Sequence, residues 1–296
     1  MNIGLFSVSL LTIRIYINSY ITITVLETSR SYMLKIDRIV VPMAKGDRSG
    51  RVLDLSFRIS EKFSSEITAL TIKNSRSEIT WSDKVAIVTR AYRRGKDNGV
   101  KVTPKIRSAS SVKEGIVEEL GSHNYDLLMM ATERRSFFSN SILGQIGDYV
   151  LKKTIVPMAA LSIRDDAEDY KEILVPLSEQ INTRSAVSFA LILKAATGAN
   201  LTFLDLRKFD SKEIHGFRLV FEELDKIIET YGANISIVKP VIENSLSQTV
   251  LNEIYERKTQ LLVMGFHNID GSRLRLNPSL KSITKLAKCD VALVKK

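Results

Sequence analysis

Few residues of this 296-residue chain have the types and spacing that chemistry needs. Its three histidines, His123, His215 and His267, and its one cysteine, Cys289, are scattered. Zinc sites draw on three or four closely spaced N or S ligands, so the pattern predicts no metal site and the histidines read as surface or loop residues. A lone cysteine makes no intramolecular disulfide, which fits a reducing, cytoplasmic setting; Cys289 opens a strand-like run and reads as a small buried residue rather than a reactive thiol. Ser136, Ser139 and Ser141 share one loop, but with no base beside them they read as solvated loop residues rather than nucleophiles. The Gly-x4-Gly-Lys-Ser/Thr, Gly-x-Ser-x-Gly and His-Glu-x2-His patterns are absent. No residue is put forward as catalytic, which leaves binding as the chemistry to look for.

The elements that would position a binding site come in duplicate. Ile39 to Pro42 reads against Ile173 to Pro176, Ile67 to Lys73 against Leu201 to Arg207, and Leu127 to Met130 against Leu261 to Met264, each pair 134 residues apart. A period that long signals a duplicated domain rather than a solenoid. Helix-period segments lie between the runs: Arg51 to Lys62, Ser82 to Asp97 and Val112 to Leu120, then Ser185 to Ala196, Gly216 to Tyr231 and Leu246 to Glu256. Each copy closes with an apolar run, Val156 to Arg164 and Cys289 to Val294. Near-continuous apolar strands alternating with helices predict an α/β chain of two tandem, doubly wound, parallel five-stranded sheets. The expected domains are 33–165 and 168–296, divided at the acidic stretch Asp165 to Asp169.

Residues 1–32 belong to neither copy. Arg14 interrupts their apolar run too early for a spanning helix of about 20 residues, and no basic start or small-residue cleavage site marks a secretory signal. The alternation of Ile13, Ile15 and Ile17, then Ile21, Ile23 and Val25, reads as a β-hairpin; a translated leader ahead of Met33 is the other reading. The net charge of +10 is concentrated in 33–165, which holds 23 basic against 15 acidic residues. The excess is spread along the segment with no aromatic-interleaved motif, so it reads as a solvated basic surface and argues against nucleic acid as a partner.

In a doubly wound sheet, ligands lie beyond the carboxyl ends of the strands where strand order reverses, here after the first and fourth strands of each copy. The segment from Asp126 to Gln145, the run Leu261 to His267 and the closing Cys289-Asp290-Val291 resemble the universal stress protein family over about 33–165 and 168–296. The resemblance implies a Rossmann-like fold of the nucleotide-binding α-hydrolase type. It also implies pairing of the two domains through their last strands and, in members that hold ATP, a Gly-x2-Gly-x9-Gly-Ser/Thr loop with an Asp after the first strand. Glycines there let backbone N–H groups approach phosphates at a helix N-terminus. This chain departs from the pattern: the matching positions are Ala131, Arg134, Gly144 and Gln145 in copy one, and Gly265, Asn268, Pro278 and Ser279 in copy two. Ala44 and Ser178 stand at the Asp positions. Candidate ligand-binding residues are therefore Arg134 and Gly144 in copy one, and Ser178, Gly265, His267, Asn268 and Ser279 in copy two. The expected role is non-catalytic binding of a ligand or partner. The alternatives are an adenine nucleotide such as ATP in domain two, acting as a switch or weak ATPase, and a soluble regulatory partner of a membrane transporter. Homodimerisation is a further expectation.

Overall fold

In a computed structural model of the chain, residues 36–74, 79–132, 143–164, 169–178, 183–206, 234–241, 245–266 and 278–295 are described. Met33–Lys296 fold as one compact unit. The expected hairpin within 1–32 and the helix expected from Gly216 to Tyr231 lie outside the described residues.

The first half comprises β1 (Arg38–Pro42), α1 (Asp47–Phe63), β2 (Glu66–Lys73), α2 (Trp81–Asp97), β3 (Val102–Ser108), α3 (Val112–Ser122), β4 (Leu127–Thr132), α4 (Gly144–Lys153) and β5 (Met158–Ser162). The second comprises β6 (Glu172–Leu177), α5 (Thr183–Thr197), β7 (Asn200–Asp205), β8 (Ile235–Val238), α6 (Leu246–Glu256), β9 (Leu261–Gly265), α7 (Pro278–Leu286) and β10 (Asp290–Lys295). Strand order is β3-β2-β1-β4-β5-β10-β9-β6-β7-β8. The two expected five-stranded sheets are therefore continuous, and all pairings are parallel except the join of β5 to β10, which is antiparallel from Met158↔Lys295 to Ser162↔Val291.

Strand side chains alternate between two apolar faces, as a sheet covered on both sides requires. Ile39, Val41, Met129, Ala159, Val175 and Val294 belong to one core, packed with α1 and α5; Val40, Met130, Met158, Leu174, Leu262 and Leu293 belong to the other, packed with α3, α4, α6 and α7. Both cores run through the join, so neither half has an interior of its own.

The 134-residue offset survives in the capping and clamping groups. The carboxylate of Asp126 accepts from the backbone N–H groups of Asp37 (2.8 Å) and Arg38 (2.9 Å), and the side-chain carbonyl of Gln260 accepts from those of Lys171 and Glu172. Each bond pins the entry of a half's first strand to its fourth. Ser111 caps α3 through the N–H of Glu114 (3.3 Å), and Ser245 caps α6 through that of Gln248 (3.2 Å). Side-chain caps of this kind stabilise a helix by about 1 kcal/mol. Ser64 and Gly198 both end their helices in the left-handed region, at φ 57° and 72°.

α1, α2 and α5 begin earlier than periodicity alone predicts, while α3 and α6 begin where it places them. α1 starts at Asp47 rather than Arg51 because its first turn is held by polar atoms: Ser49 Oγ accepts from the N–H of Ala44 (3.3 Å) and donates to its carbonyl (3.1 Å). α2 starts from a capping box in which Thr80 and Asp83 bond each other's backbone. Cys289 is buried, as expected of a small core residue.

At the outer edge, Glu119 of α3 is fully buried among Lys105 Nζ (2.7 Å), Arg107 Nη1 (3.1 Å), Tyr125 OH (2.7 Å) and His123 Nδ1 (3.2 Å). Burial pushes its carboxyl up, but the bonds from Lys105, Tyr125 and Arg107 outweigh burial and hold it below the ordinary value of 4.5. A depressed carboxyl contributes stability that is fully present above the unfolded pKa and lost as pH falls through the folded one. The urea midpoint of the wild type is therefore expected to fall below about pH 4.5. In Glu119→Gln the midpoint is expected to be lower at pH 7 and its acid slope shallower; denaturant melts at several pH values read both.

Candidate ligand-binding crevices at the strand switch points

Each half opens where its first and fourth strands part. β1 and β4 pair at only two positions, Ile39↔Leu127 and Val40↔Leu128, whereas β1 and β2 pair along all five residues of β1. β6 and β9 likewise pair only at Ile173↔Leu261 and Leu174↔Leu262. The cause lies in the sequence. Arg38 faces β4, since its carbonyl accepts from the N–H of Asp126, so every second residue of β1 presents its backbone to β4 and the third in that series is Pro42. Glu172 faces β9 through Gln260, and the same count reaches Pro176. Proline has no N–H to give, so the ladder stops there. The crevice beyond is a property of the imino acid.

The two crevices hold different chemistry. In the first half, Thr132 on β4 and Ser162 on β5 are registered neighbours; both residues are buried, and among the described residues neither hydroxyl has a hydrogen-bond partner. The Asn74 side-chain carbonyl, just past β2, is buried in the same unpartnered state. Such oxygens cost about 1 to 3 kcal/mol each unless a water or ligand satisfies them. Lys84 of α2, 3% exposed, closes the end of β2 by donating to the Ile72 carbonyl (2.9 Å), and burial lowers its pKa. Gly144 sits at φ 83°, a conformation that side-chain-bearing residues avoid, at the start of α4. Asp148 takes the N–H of Leu143 there (3.0 Å), so a carboxylate occupies one of the amides that an anion would need. Ala44 is exposed and its backbone N–H and C=O are engaged by Ser49.

In the second half, Ser178 is buried immediately after β6 and Gly265 is the buried last residue of β9, so these two flank the split at Pro176. Ser279 lies in the first turn of α7, which Pro278 opens. Proline at a first helical position gives up an N–H that has no partner within the helix, and here that removes one donor from any anion site. Position 132 has Phe266 as its counterpart, 2% exposed, with its N–H bonded to the Val294 carbonyl (2.6 Å). Thus an aromatic side chain in the second half stands where the first leaves an unpartnered hydroxyl. Arg134, His267 and Asn268 lie outside the described residues. Thr132, Ser162 and Asn74 were not singled out from sequence; the signal that could have found them is the polar residue ending each otherwise apolar strand.

Beside the first crevice, a cleft of about 390 Å³ runs between α1 and α2, with Met43, Leu53, Ala86 and Ile87 on its floor and Lys45, Asp83 and Arg90 among the charges on its rim. Arg94 reaches Asp54 past Gly50, where a Cβ would lie 3.2 Å from Arg94 Nη1, a tight approach.

Comparison with known proteins bears on the family and the fold. Residues 35–162 match the model of the Universal stress protein family. No curated protein matches the chain. Among solved structures, a universal stress protein from Archaeoglobus fulgidus is similar at TM-score 0.64 and 17% identity, over 90% of this chain and 98% of that one. A putative universal stress protein from Pseudomonas aeruginosa gives 0.62 and 15%, over 88% and 93%. The cytoplasmic domain of a prokaryotic cation chloride cotransporter gives 0.55 and 11%, over 88% and 95%. At these identities the likeness is one of fold.

Replacing Thr132 by valine removes an unpartnered buried hydroxyl without changing side-chain shape. The variant is expected to be as stable as wild type or more stable by up to about 1 kcal/mol in chemical denaturation. A loss larger than that means the hydroxyl has a partner in solution.

Proposed function

We propose that this chain, whose residues 35–162 belong to the universal stress protein family, is a tandem, non-catalytic binding protein that holds a small ligand at its strand switch points. Its domains are 33–165 and 168–296, and it works from the cytoplasm in a stress response. The observation that carries this reading is the proline-split crevice, present in both halves and lined differently in each. In the first half Thr132 at the end of β4, Ser162 on β5 and Asn74 past β2 carry neutral oxygens that have no partner among the described residues and suit hydrogen-bonding a ligand. Among the described residues, no helix is long and apolar enough to cross a membrane.

Gly265 supports a second reading, in which the second half alone holds an adenine nucleotide. It ends β9 without a Cβ at the split, and Ser279 stands in the first turn of α7, a favourable place for phosphate oxygens. The first half suits phosphates less, because Asp148 occupies an amide of its α4 entrance. The likeness in fold to a cotransporter's cytoplasmic domain supports a partner role beside a membrane transporter.

Mass spectrometry of molecules released from freshly purified, denatured protein is expected to find one small ligand near stoichiometric amounts. Release of nothing, together with measurable turnover of ATP, would overturn the non-catalytic reading. Calorimetry with ATP and Mg²⁺ tests the second reading: binding is expected in wild type and lost in Gly265→Trp, and no heat in wild type ends it.

A further inference from the structure

The two halves meet along a line relating α1 to α5, and the 134-residue offset says which residues should be equivalent on its two sides. On α1, Arg51, Asp54, Leu55 and Arg58 form one stripe at helical spacing. Their counterparts on α5 are Ser185, Ser188, Phe189 and Ile192, all buried at 7% exposure or less. The α5 stripe is thus closed against its surroundings. The α1 stripe instead borders an open cleft of about 630 Å³, whose opposite wall is Asp169, Tyr170 and Lys171 ahead of β6 and the turn from Thr197 to Asn200 ahead of β7. Pockets of this size between paired domains are ordinary places for small ligands. This one lies at the amino ends of β6 and β7, away from the crevices at the strands' carboxyl ends.

Three basic residues, Arg51, Arg58 and Lys171, line it alongside Asp54 and Asp169. Arg51 is held in place: Nη1 donates to the carbonyl of Arg164, and Nη2 stands 4.0 Å from Asp290, whose buried carboxylate already accepts from the N–H of Arg164 (2.6 Å) and the hydroxyl of Tyr170 (2.8 Å). Burial, then the adjacent Asp290 charge, raises the Tyr170 pKa, so that hydroxyl stays a donor to the carboxylate. Asp54 is taken by Arg94 from outside the cleft. Arg58 pairs with Asp169 (2.5 Å), but with side chains 47% and 68% exposed this is the kind of pair that contributes little and yields to a better acceptor. The ammonium of Lys171 makes no ion pair among the described residues. Arg51 and Arg58 stand two turns apart on one face, roughly 10 Å along the axis.

We propose that this one-sided cleft is a binding site for a small polyanion of metabolite size, carrying phosphate or carboxylate groups that engage Arg51 at one end and Arg58 with Lys171 at the other. Planar guanidinium forks suit both kinds of group. Because α1 belongs to one half and Lys171 to the other, such a ligand cross-links the halves and raises the melting temperature.

Titration calorimetry at low salt, with inorganic pyrophosphate and with citrate as probes, tests this on the full chain. At least one probe is expected to bind wild type and to bind the exposed-site double variant Arg58→Ala/Lys171→Ala at least tenfold more weakly. A control with the same loss of charge on α2, Arg93→Ala/Lys96→Ala, is expected to stay within twofold of wild type. The proposal falls if neither probe gives heat at millimolar concentration, or if the control weakens binding as much as the cleft variant does. Gly265→Trp is expected to leave probe binding unchanged, so failure of the switch-point reading and failure of this one are told apart.

Discussion

The antiparallel ladder between β5 and β10 is the interaction on which the rest of the molecule depends. Parallel strands dominate each half, and a doubly wound unit leaves its fifth strand as an open edge. Pairing the two fifth strands over five residues converts two such edges into the middle of one sheet. It also places Ala159, Leu161, Ala292 and Val294 in a core shared by α1 and α5. Asp290 closes the end of this ladder, where its buried carboxylate ties Arg164, Tyr170 and Arg51 together. A charge removed from water in this way holds only while its partners stay in place, so loss of any one is costly and the geometry of the join is strongly specified.

Fold and topology were legible in the sequence because their signals are periodic and repeated. Apolar runs at one offset gave the strands, and the Ile-Val-Val-Pro and Ile-Leu-Val-Pro openings gave the two starts. The pairs Asp126 with Gln260 and Ser111 with Ser245 show why the duplication stays readable: the same backbone N–H groups need satisfying in both halves, and a carboxylate or an amide serves equally. The continuity of the sheet came only from the resemblance to a family whose domains pair, since no local pattern in Met158–Ser162 says which strand lies beyond it.

The site was less legible. Matching a glycine-rich loop assigned positions such as Gly144 and Gly265, because glycine is recognisable wherever a backbone must turn or be approached. It passed over Thr132, Ser162 and Asn74, whose interest lies in carrying buried oxygens without a partner among the described residues, a three-dimensional fact. The cleft beside α1 escaped for a related reason. Arg51 and Arg58 look like ordinary members of a solvated basic surface until their buried counterparts on α5 show that one side of the pair has been closed and the other left open.

Pro42 and Pro176 give the two halves openings of one kind. A crevice made by loops depends on the loops, whereas one that opens where an imino acid ends a central ladder depends on the strand itself. The residues at the two helix entrances differ, Gly144 beside Asp148 in one half and Pro278 with Ser279 in the other, while the ladder stops at the same place in both. The duplicated chain is one frame with two openings, each lined by its own set of residues.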